Sequence, residues 1–318
     1  MSCANCCMPI QCAPLARCDN VGMRTVRTMT AQPSLIGPAE IRELAAALEL
    51  TPTKRHGQNF VIDPNTVRRI VRLAELDPDD VVVEVGPGLG SLTLGLLDAC
   101  AAVLAIEIDG RLAAQLPTTM RRHDPNLADK LTVVSADALT IDLAALPEPQ
   151  PTAFVANLPY NVAVPIVLRL LADLPAVSKG LVMVQLEVAA RLAAQPGSRT
   201  YGVPSVKMQW FGSVESVGTV GPKVFWPQPR VDSGLVRFVR GAPPECRSTR
   251  ADVFSCIDAG FSQRRKKLRS ALSSWAGGLS EADEVIRMAG IDPAARGEDL
   301  TVAEFAAIAD ARSARNDT

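Results

Sequence analysis

The stretch VVVEVGPGLG, from Val81 to Gly90, decides the fold of this chain. It starts as a β-branched run and ends in three closely spaced glycines, a pattern typical of a buried strand followed by a tight loop. The next ten residues, SLTLGLLDAC at 91–100, have the pattern of a helix. Together the two segments predict a strand, a glycine loop and a helix, which is the repeating unit of an α/β sheet.

The same alternation continues along the chain. Further strand patterns are VLAIEID at 103–109, LTVVSAD at 131–137, TAFVANL at 152–158 and KGLVMVQLEV at 179–188. Helical stretches separate them, which predicts a parallel sheet with helices on both faces. Two later segments, WFGSVESVGTV at 210–220 and SGLVRFVR at 233–240, are candidates for an antiparallel edge.

The two ends of the chain differ from this middle part. Before it, a helix is opened by Asp63 as N-cap and Pro64 in the first turn. Beyond Arg240 the strand pattern stops, and helices are predicted at 250–275, 280–290 and 301–313. We therefore predict an α/β fold with a Rossmann-like domain over 39–240 and a small all-helical domain over 241–318.

The composition excludes several classes of protein. With 318 residues the chain is long enough for about two domains. An apolar fraction of 47% and a net charge of -1 exclude a chain that is disordered throughout. No run of about 18 apolar residues appears, and the first residues lack the apolar core of a secretion signal. We therefore expect a cytoplasmic protein without a membrane span.

Five of the eight cysteines lie near the start of the chain, at Cys3, Cys6, Cys7, Cys12 and Cys18. Cys3 and Cys6 have the CxxC spacing of a zinc site, but no second ligand pair follows at a suitable distance. We therefore expect no metal site and interpret residues 1–38 as a mobile Cys-containing extension.

Charge is distributed unevenly along the chain. Residues 223–275 hold 11 Lys and Arg against 4 Asp and Glu, a net charge of +7. Because the whole chain carries -1, the remainder carries -8. This asymmetry predicts a basic end that contacts a polyanion, with a solvated helix face as the alternative.

Successive strand ends predict a nucleoside site. Gly86 and Gly88 allow the backbone to approach a ligand closely, although the loop does not match the GxGxxG dinucleotide fingerprint. Glu107 ends the second predicted strand, where a carboxylate can bind both ribose hydroxyls, and Asp137 ends the third, near an adenine edge. Either acid alone could be an ordinary strand-end residue, but together with the loop they favour an adenosine-type cofactor.

The tetrapeptide Asn157-Leu158-Pro159-Tyr160 follows the fourth predicted strand and resembles the tetrapeptide of methyltransferases that modify the exocyclic amine of adenine. The Asn157 side-chain oxygen and a backbone carbonyl of Leu158 or Pro159 could accept the two N–H groups of that amine. No strong general base is required, so catalysis would depend on positioning and electrostatics. Tyr160 offers a stacking face for a base taken out of its stack, and Phe225 offers a second face.

These motifs occur in the order found in a known family. From about residue 39 to 312 the chain resembles the ribosomal RNA adenine dimethyltransferases, and in particular their small-subunit branch. The segments that carry the resemblance are GQNFVID (57–63), EVGPGLG (84–90), NLPYN (157–161), FWPQPRVDSGLVRF (225–238), FSQRRKKLRSAL (261–272) and GIDPAARGEDLTVAEFAAIA (290–309). The resemblance implies dimethylation of two adjacent adenines in 16S ribosomal RNA during ribosome biogenesis, with S-adenosylmethionine as cofactor.

The resemblance also assigns site residues. Those that match the cofactor contacts of the family are Asn59, Val61, Gly86, Gly88, Glu107, Asp137 and Asn157. His56 and Val61 differ from the residues common in the family.

The basic segments complete the expected site. The residues expected to contact RNA are Lys54, Arg55, Arg264, Arg265, Lys266, Lys267 and Arg269, and the last five are predicted to open a helix. Such residues neutralise phosphates with little dependence on sequence. The expected partner is small-subunit ribosomal RNA or an immature small-subunit particle, bound by a monomer.

Several other functions stay open. A large-subunit ribosomal RNA methylase of the macrolide-resistance type would share the catalytic domain and differ in its C-terminal helices. A mainly non-catalytic ribosome-assembly factor would bind immature particles, although NLPY and Glu107 argue against that role alone. A DNA adenine methyltransferase would need a larger recognition domain than the residues after Arg240 offer. The broken dinucleotide fingerprint disfavours a dehydrogenase.

Overall fold

The computed structural model describes residues 34–50 and 59–316. The strands are β1 (Phe60–Val61), β2 (Val81–Val85), β3 (Ala102–Glu107), β4 (Leu131–Ser135), β5 (Ala153–Asn157), β6 (Lys179–Gln185), β7 (Gly212–Val220), β8 (Phe225–Trp226) and β9 (Ser233–Arg240). The helices are α1 (Pro38–Ala47), α2 (Pro64–Leu73), α3 (Ser91–Ala99), α4 (Gly110–His123), α5 (Pro125–Ala128), α6 (Ala163–Asp173), α7 (Leu186–Leu192), α8 (Val203–Gln209), α9 (Arg250–Phe261), α10 (Leu268–Ala271), α11 (Ser273–Ala276), α12 (Leu279–Met288) and α13 (Val302–Asn316).

Seven of these strands form one sheet in the order β4-β3-β2-β5-β6-β9-β7. The first five run parallel to one another, whereas β9 pairs antiparallel with both β6 and β7. The predicted α/β sheet and its antiparallel edge are thereby confirmed. Because parallel strands point the same way, their carboxyl ends meet at one edge of the sheet, where α/β proteins bind ligands.

A separate two-stranded pair, β1 with β8, lies beside the glycine loop. Phe60 pairs with Trp226, and Val61 pairs with Phe225. The pair connects the segment before α2 to the segment before β9. Strands of two residues have no detectable period, which is why the sequence pattern did not predict them.

Helices cover both faces of the sheet. Val82 and Val83 are neighbours on β2, and both are fully buried in different hydrophobic clusters, because successive strand side chains point to opposite faces. The Val82 cluster contains residues of α1 to α5. The Val83 cluster contains residues of α6 to α13, so that Phe305 of α13 and Phe154 of β5 share one core.

The chain beyond Arg240 is helical, but the helix predicted at 250–275 is wrong in its extent. Helix α9 ends at Phe261, residues 262–267 form a turn, and α10 and α11 are single turns. The turn allows Leu268 to enter the core, where it is fully buried and its N–H donates to Ala295 O at 2.7 Å. The basic residues predicted to open a helix therefore lie mostly in this turn.

Two features of the N-terminal part bear on the predictions. Asp63 caps α2 as predicted, since its carboxylate accepts from the N–H of Thr66 at 2.8 Å. Ile36 falls inside the predicted mobile extension, yet it is 1% exposed and belongs to the Val82 cluster.

Some predictions fall outside the described residues. They concern the five N-terminal cysteines and the basic residues Lys54 and Arg55. Within the described ranges, no helix has both the length and the apolar character needed to cross a membrane.

Candidate functional site

A cavity of about 230 Å³ opens at the carboxyl ends of β2, β3 and β5. It lies where the glycine loop, the strand-end acids and the tetrapeptide come together. Its lining includes these predicted site residues: Asn59, Val61, Gly86, Gly88, Glu107, Asp137, Asn157, Leu158, Pro159 and Tyr160. The sheet topology thus brings together residues that are as many as 101 positions apart in the sequence.

The glycine loop has a backbone that only glycine adopts easily. Gly86, Gly88 and Gly90 have φ angles of 71°, 58° and 91°. A Cβ on Gly88 would lie 2.8 Å from the ring of Phe60, which packs directly over the loop. The loop therefore has one wall made by a close aromatic contact and one side that faces the cavity.

Glu107 connects the end of β3 to the glycine loop. Its Oε2 accepts from the N–H of Gly88 at 3.1 Å, and its Oε1 accepts from the N–H of Asp109 at 3.0 Å. Burial raises the pKa of Glu107, and these two hydrogen bonds oppose that rise. The carboxylate is 4% exposed and remains part of the cavity lining, in position for a ligand with hydroxyl groups.

Glu84 is a cavity residue that the sequence analysis did not select. It is 1% exposed, and burial together with the nearby charge of Glu107 raises the pKa of its carboxyl group to about 8. Its Oε2 has no hydrogen-bond partner among the described residues. A buried carboxyl oxygen without a partner is costly, so this atom fits a ligand that carries a positive charge. The sequence feature that could have identified Glu84 is a charged residue inside the apolar run VVVEV.

Ile108 is a second residue that the sequence analysis missed. It lines the cavity next to Glu107 and is 62% exposed, so its apolar side chain is accessible to a ligand. Asp137 lies two residues beyond the end of β4, and its Oδ1 accepts from the N–H of Leu139 at 2.8 Å. An apolar face beside a fixed carboxylate suits a flat ring with a polar edge.

Asn157 is held by the segment that precedes β1. Its Nδ2 donates to the backbone oxygen of Asn59 at 2.9 Å. This bond fixes the amide plane and leaves Oδ1 as the remaining side-chain acceptor. Leu158 is anchored as well, because its N–H donates to Met183 O of the adjacent strand β6 at 3.0 Å.

The two predicted stacking residues have different surroundings. Tyr160 is partly buried in the cavity wall, and its hydroxyl lies 2.9 Å from Oγ of Ser233. Phe225 is 2% exposed in the Val82 cluster, opposite Val61, and it is not part of the cavity lining. In this conformation, therefore, Tyr160 lines the cavity and Phe225 does not.

The basic residues of the C-terminal turn are not equivalent. Arg264 is bound within the protein: its Nε lies 3.0 Å from Oε2 of Glu298, and its Nη2 donates to Arg199 O at 2.6 Å. In contrast, Arg265, Lys266 and Lys267 are exposed and pair with no carboxylate among residues 34–50 and 59–316.

Arg269, in helix α10, makes only a long ion pair, 4.0 Å from Asp283. The free positive charge thus lies mainly in the three residues that follow Arg264.

Sequence comparisons agree with these motifs. A family model described as ribosomal RNA adenine dimethylase matches residues 50–313. The ribosomal RNA small subunit methyltransferase A of Thermobifida fusca is 59% identical over 283 residues, which cover 89% of this chain and 98% of the relative. The protein of the same name from Streptomyces coelicolor is 58% identical over 278 residues, covering 87% and 96%.

Solved structures share the architecture. A dimethyladenosine transferase from Plasmodium falciparum aligns with a TM-score of 0.64 at 22% identity, covering 77% of this chain and 94% of that one. The 23S rRNA methyltransferase ErmE aligns with a TM-score of 0.59 at 29% identity, covering 80% and 100%. With a family model that spans most of the chain and relatives close to 60% identity over nearly their full length, this chain belongs to the ribosomal RNA adenine dimethylase family.

Proposed function

We propose that this chain dimethylates the exocyclic amines of adenines in small-subunit ribosomal RNA during ribosome biogenesis, with S-adenosylmethionine as methyl donor. The observation that carries this proposal is the tetrapeptide that starts at Asn157, placed beside a cavity that also contains Glu107 and the glycine loop. The names of relatives that are 58–59% identical support the choice of the small subunit.

The cavity fits a nucleoside that carries positive charge. We assign the ribose to Glu107, the adenine edge to Asp137 and the adenine face to Ile108. The amino-acid end then lies at the loop around Gly86, where the unpaired oxygen of Glu84 meets its ammonium group. The other assigned cofactor residues, Asn59, Val61, Gly88 and Asn157, line the same cavity. When bound, S-adenosylmethionine supplies a methyl group on a positively charged sulfur.

The target amine is held by acceptors from the tetrapeptide. Because the nitrogen of the Asn157 amide is engaged by Asn59, its oxygen accepts one N–H of the amine. A backbone carbonyl of Leu158 or Pro159 accepts the other, so that the nitrogen lone pair faces the methyl donor. After transfer the positively charged amine releases its extra proton to bulk water, and catalysis depends on positioning rather than on a general base. A monomethylated amine retains one N–H, so it can be held for a second transfer.

The target base is expected to leave its stack and lie against Tyr160. We assign the second face to Phe225 in the RNA-bound form. Since this side chain is 2% exposed, that role requires β8 to move when RNA binds.

Phosphate contacts are assigned to the basic turn. Arg265, Lys266 and Lys267 supply free positive charge there, while Lys54, Arg55, Arg264 and Arg269 complete the set expected from the family resemblance. We assign catalysis to residues 39–240 and RNA docking to 241–318. The chain acts as a monomer in the cytoplasm, on small-subunit RNA or an immature particle.

A large-subunit substrate is the second candidate, because the ErmE structure covers 80% of this chain. Its 29% identity is about half that of the small-subunit relatives, which favours the small subunit. An assembly factor without activity would have no use for the fixed acceptor on Asn157.

The deciding experiment measures methyl transfer from labelled S-adenosylmethionine to undermethylated small-subunit particles, with large-subunit RNA as the second substrate. We expect dimethyladenine in the small-subunit RNA, loss of the label with Asn157→Ala, and normal activity with Asn126→Ala, an exposed asparagine at the start of α5. Label in large-subunit RNA alone would support the second candidate. Tight particle binding without any label would support the assembly factor.

A further inference from the structure

The hydroxyl of Tyr160 is held by a residue far from the tetrapeptide in sequence. Its oxygen lies 2.9 Å from Oγ of Ser233. Tyr160 follows β5 and Ser233 is the first residue of β9, with β6 between these two strands in the sheet. The hydrogen bond therefore connects the parallel part of the sheet to its antiparallel part, directly behind the cavity wall.

Ser233 is a rigid anchor for this bond. It is fully buried, and its backbone lies opposite Gln185 of β6 on one side and Val220 of β7 on the other. At the next position, a Cβ on Gly234 would lie 2.4 Å from Cβ of Ala189 in α7. Strands on both sides and a tightly packed helix leave this start of β9 no room to shift. The fold therefore fixes the position of the serine hydroxyl.

Tyr160 is the side chain in the cavity wall that needs such an anchor. Its ring is only partly buried and can turn about its side-chain torsions, whereas stacking of a base requires a defined ring plane. Burial raises the pKa of the Tyr160 phenol, so its hydroxyl stays protonated at neutral pH and can form the bond.

We propose that Ser233 is a positioning residue for the target adenine. Its hydroxyl fixes the ring of Tyr160, and the ring in turn orients the base against the acceptor on Asn157. Ser233 does not line the cavity, so it acts only through Tyr160. The inference rests on the proposed function, since the base is the ligand that the ring would orient.

The bond itself is tested without any substrate. The chain has two tyrosines, Tyr160 and Tyr201, so labelling tyrosine with ¹³C at Cζ gives two resonances. We expect Ser233→Ala to shift the resonance that Tyr160→Phe removes and to leave that of Tyr201 in place. Ser273→Ala is the control, because the hydroxyl of Ser273, at the start of α11, donates to Ser270 O rather than to a tyrosine, and it should move neither resonance. An unchanged Tyr160 resonance in Ser233→Ala would refute the hydrogen bond between Ser233 and Tyr160.

The orienting role is tested by a double-mutant cycle on methyl transfer. Ser233→Ala and Tyr160→Phe should each lower kcat about three- to tenfold, the effect of losing one neutral hydrogen bond. The double variant should fall no further, because both changes remove the same bond. The dissociation constant for S-adenosylmethionine, measured by calorimetry, should stay unchanged in all three.

The outcomes separate the two proposals. A further fall in the double variant would mean that Ser233 acts independently of Tyr160, which overturns the positioning role. A wild-type chain that binds S-adenosylmethionine but methylates no RNA would overturn the proposed function, and the orienting role with it, while the resonance shift would still establish the bond.

Discussion

The ring of Phe60 occupies the space beside Gly88 so closely that a Cβ there would lie 2.8 Å from two of its ring carbons. Gly88 also donates its N–H to Glu107, so this residue lies between the aromatic wall and the carboxylate assigned to the ribose. A side chain at position 88 must therefore displace the ring of Phe60 or shift the loop backbone that binds Glu107.

We therefore expect Gly88→Ala to weaken binding of S-adenosylmethionine by more than tenfold. The φ of 58° strains any L-residue, and the added methyl group pushes Phe60 or distorts the bond to Glu107. Calorimetric titration gives the dissociation constant. Gly290→Ala controls for strain alone, since Gly290 has a φ of 76° with no atom near its Cβ position. Equal affinity loss in both variants would refute the contact as the cause.

The buried carboxyl of Glu84 predicts a dependence on pH. Its pKa of about 8 lies above the ordinary value of 4.5, so the folded chain binds a proton there that the unfolded chain releases. Between these two values, the free energy of unfolding of the cofactor-free protein should fall as pH rises. Glu84→Gln should remove that part of the slope in denaturant titrations. A slope identical to that of the wild type would contradict the raised pKa.

The same carboxyl predicts proton release when the cofactor binds. A cationic ligand favours the ionised carboxylate, so below pH 8 binding should displace the proton from Glu84. Calorimetry at pH 7 in two buffers of different ionisation enthalpy measures this release. Glu84→Gln should show none, and wild-type enthalpies that do not depend on the buffer would count against the assignment.

The orientation of the Asn157 amide predicts that replacing its NH₂ group alone by an oxygen lowers the rate of methyl transfer. Asn157→Asp retains an acceptor for the target amine, but its carboxylate cannot donate to Asn59 O and is repelled by that carbonyl. We expect kcat for methyl transfer to fall more than tenfold. Asn126→Asp, at the exposed start of α5, should have normal kcat. Near-normal activity of Asn157→Asp would show that the amide needs no fixed orientation.

The C-terminal turn predicts different salt dependences for neighbouring residues. Lys266→Ala should lower the slope of log affinity for RNA against log salt concentration by about 0.7 to 0.9, the effect of one lost phosphate contact. Arg264→Ala should weaken binding with little change of slope, because its charge is already paired with Glu298. Glu298→Gln should instead strengthen binding and steepen the slope, because it leaves the guanidinium of Arg264 without its carboxylate partner. Filter-binding titrations at several salt concentrations measure all three, and equal slope changes for Arg264 and Lys266 would refute the distinction.

Much of the site was predictable because it follows from local pattern and topology. Once strands alternate with helices, the residues that follow each strand must meet at one edge, so Gly86, Glu107 and Asn157 were bound to lie close together. The chemistry of these residues follows from residue type alone. Gly86 allows close approach of the backbone, Glu107 supplies a carboxylate and Asn157 supplies an amide. The location of these residues in the site could therefore be predicted without knowing any contact between distant segments.

The remaining features depend on contacts between distant segments. Phe225 is buried because β8 pairs with β1, more than 160 residues earlier, and two-residue strands leave no periodic pattern. Arg264 differs from Lys266 because Arg199, 65 residues earlier, and Glu298, 34 residues later, both bind its guanidinium. The burial of Phe225 and the pairing of Arg264 both depend on tertiary contacts, so the local sequence around these residues does not predict them.

Phe305 of α13 and Phe154 of β5 pack in one core, so the distance between the C-terminal helices and the sheet is fixed. The helices that carry the basic turn cannot swing away from the sheet that carries Tyr160 without opening that core. The proposed function therefore places the turn assigned to phosphate contacts at a fixed distance from the ring assigned to the target base. Under that proposal, an adenine at the wrong distance from the docked backbone would not reach the cavity, so distance as well as sequence would select the substrate.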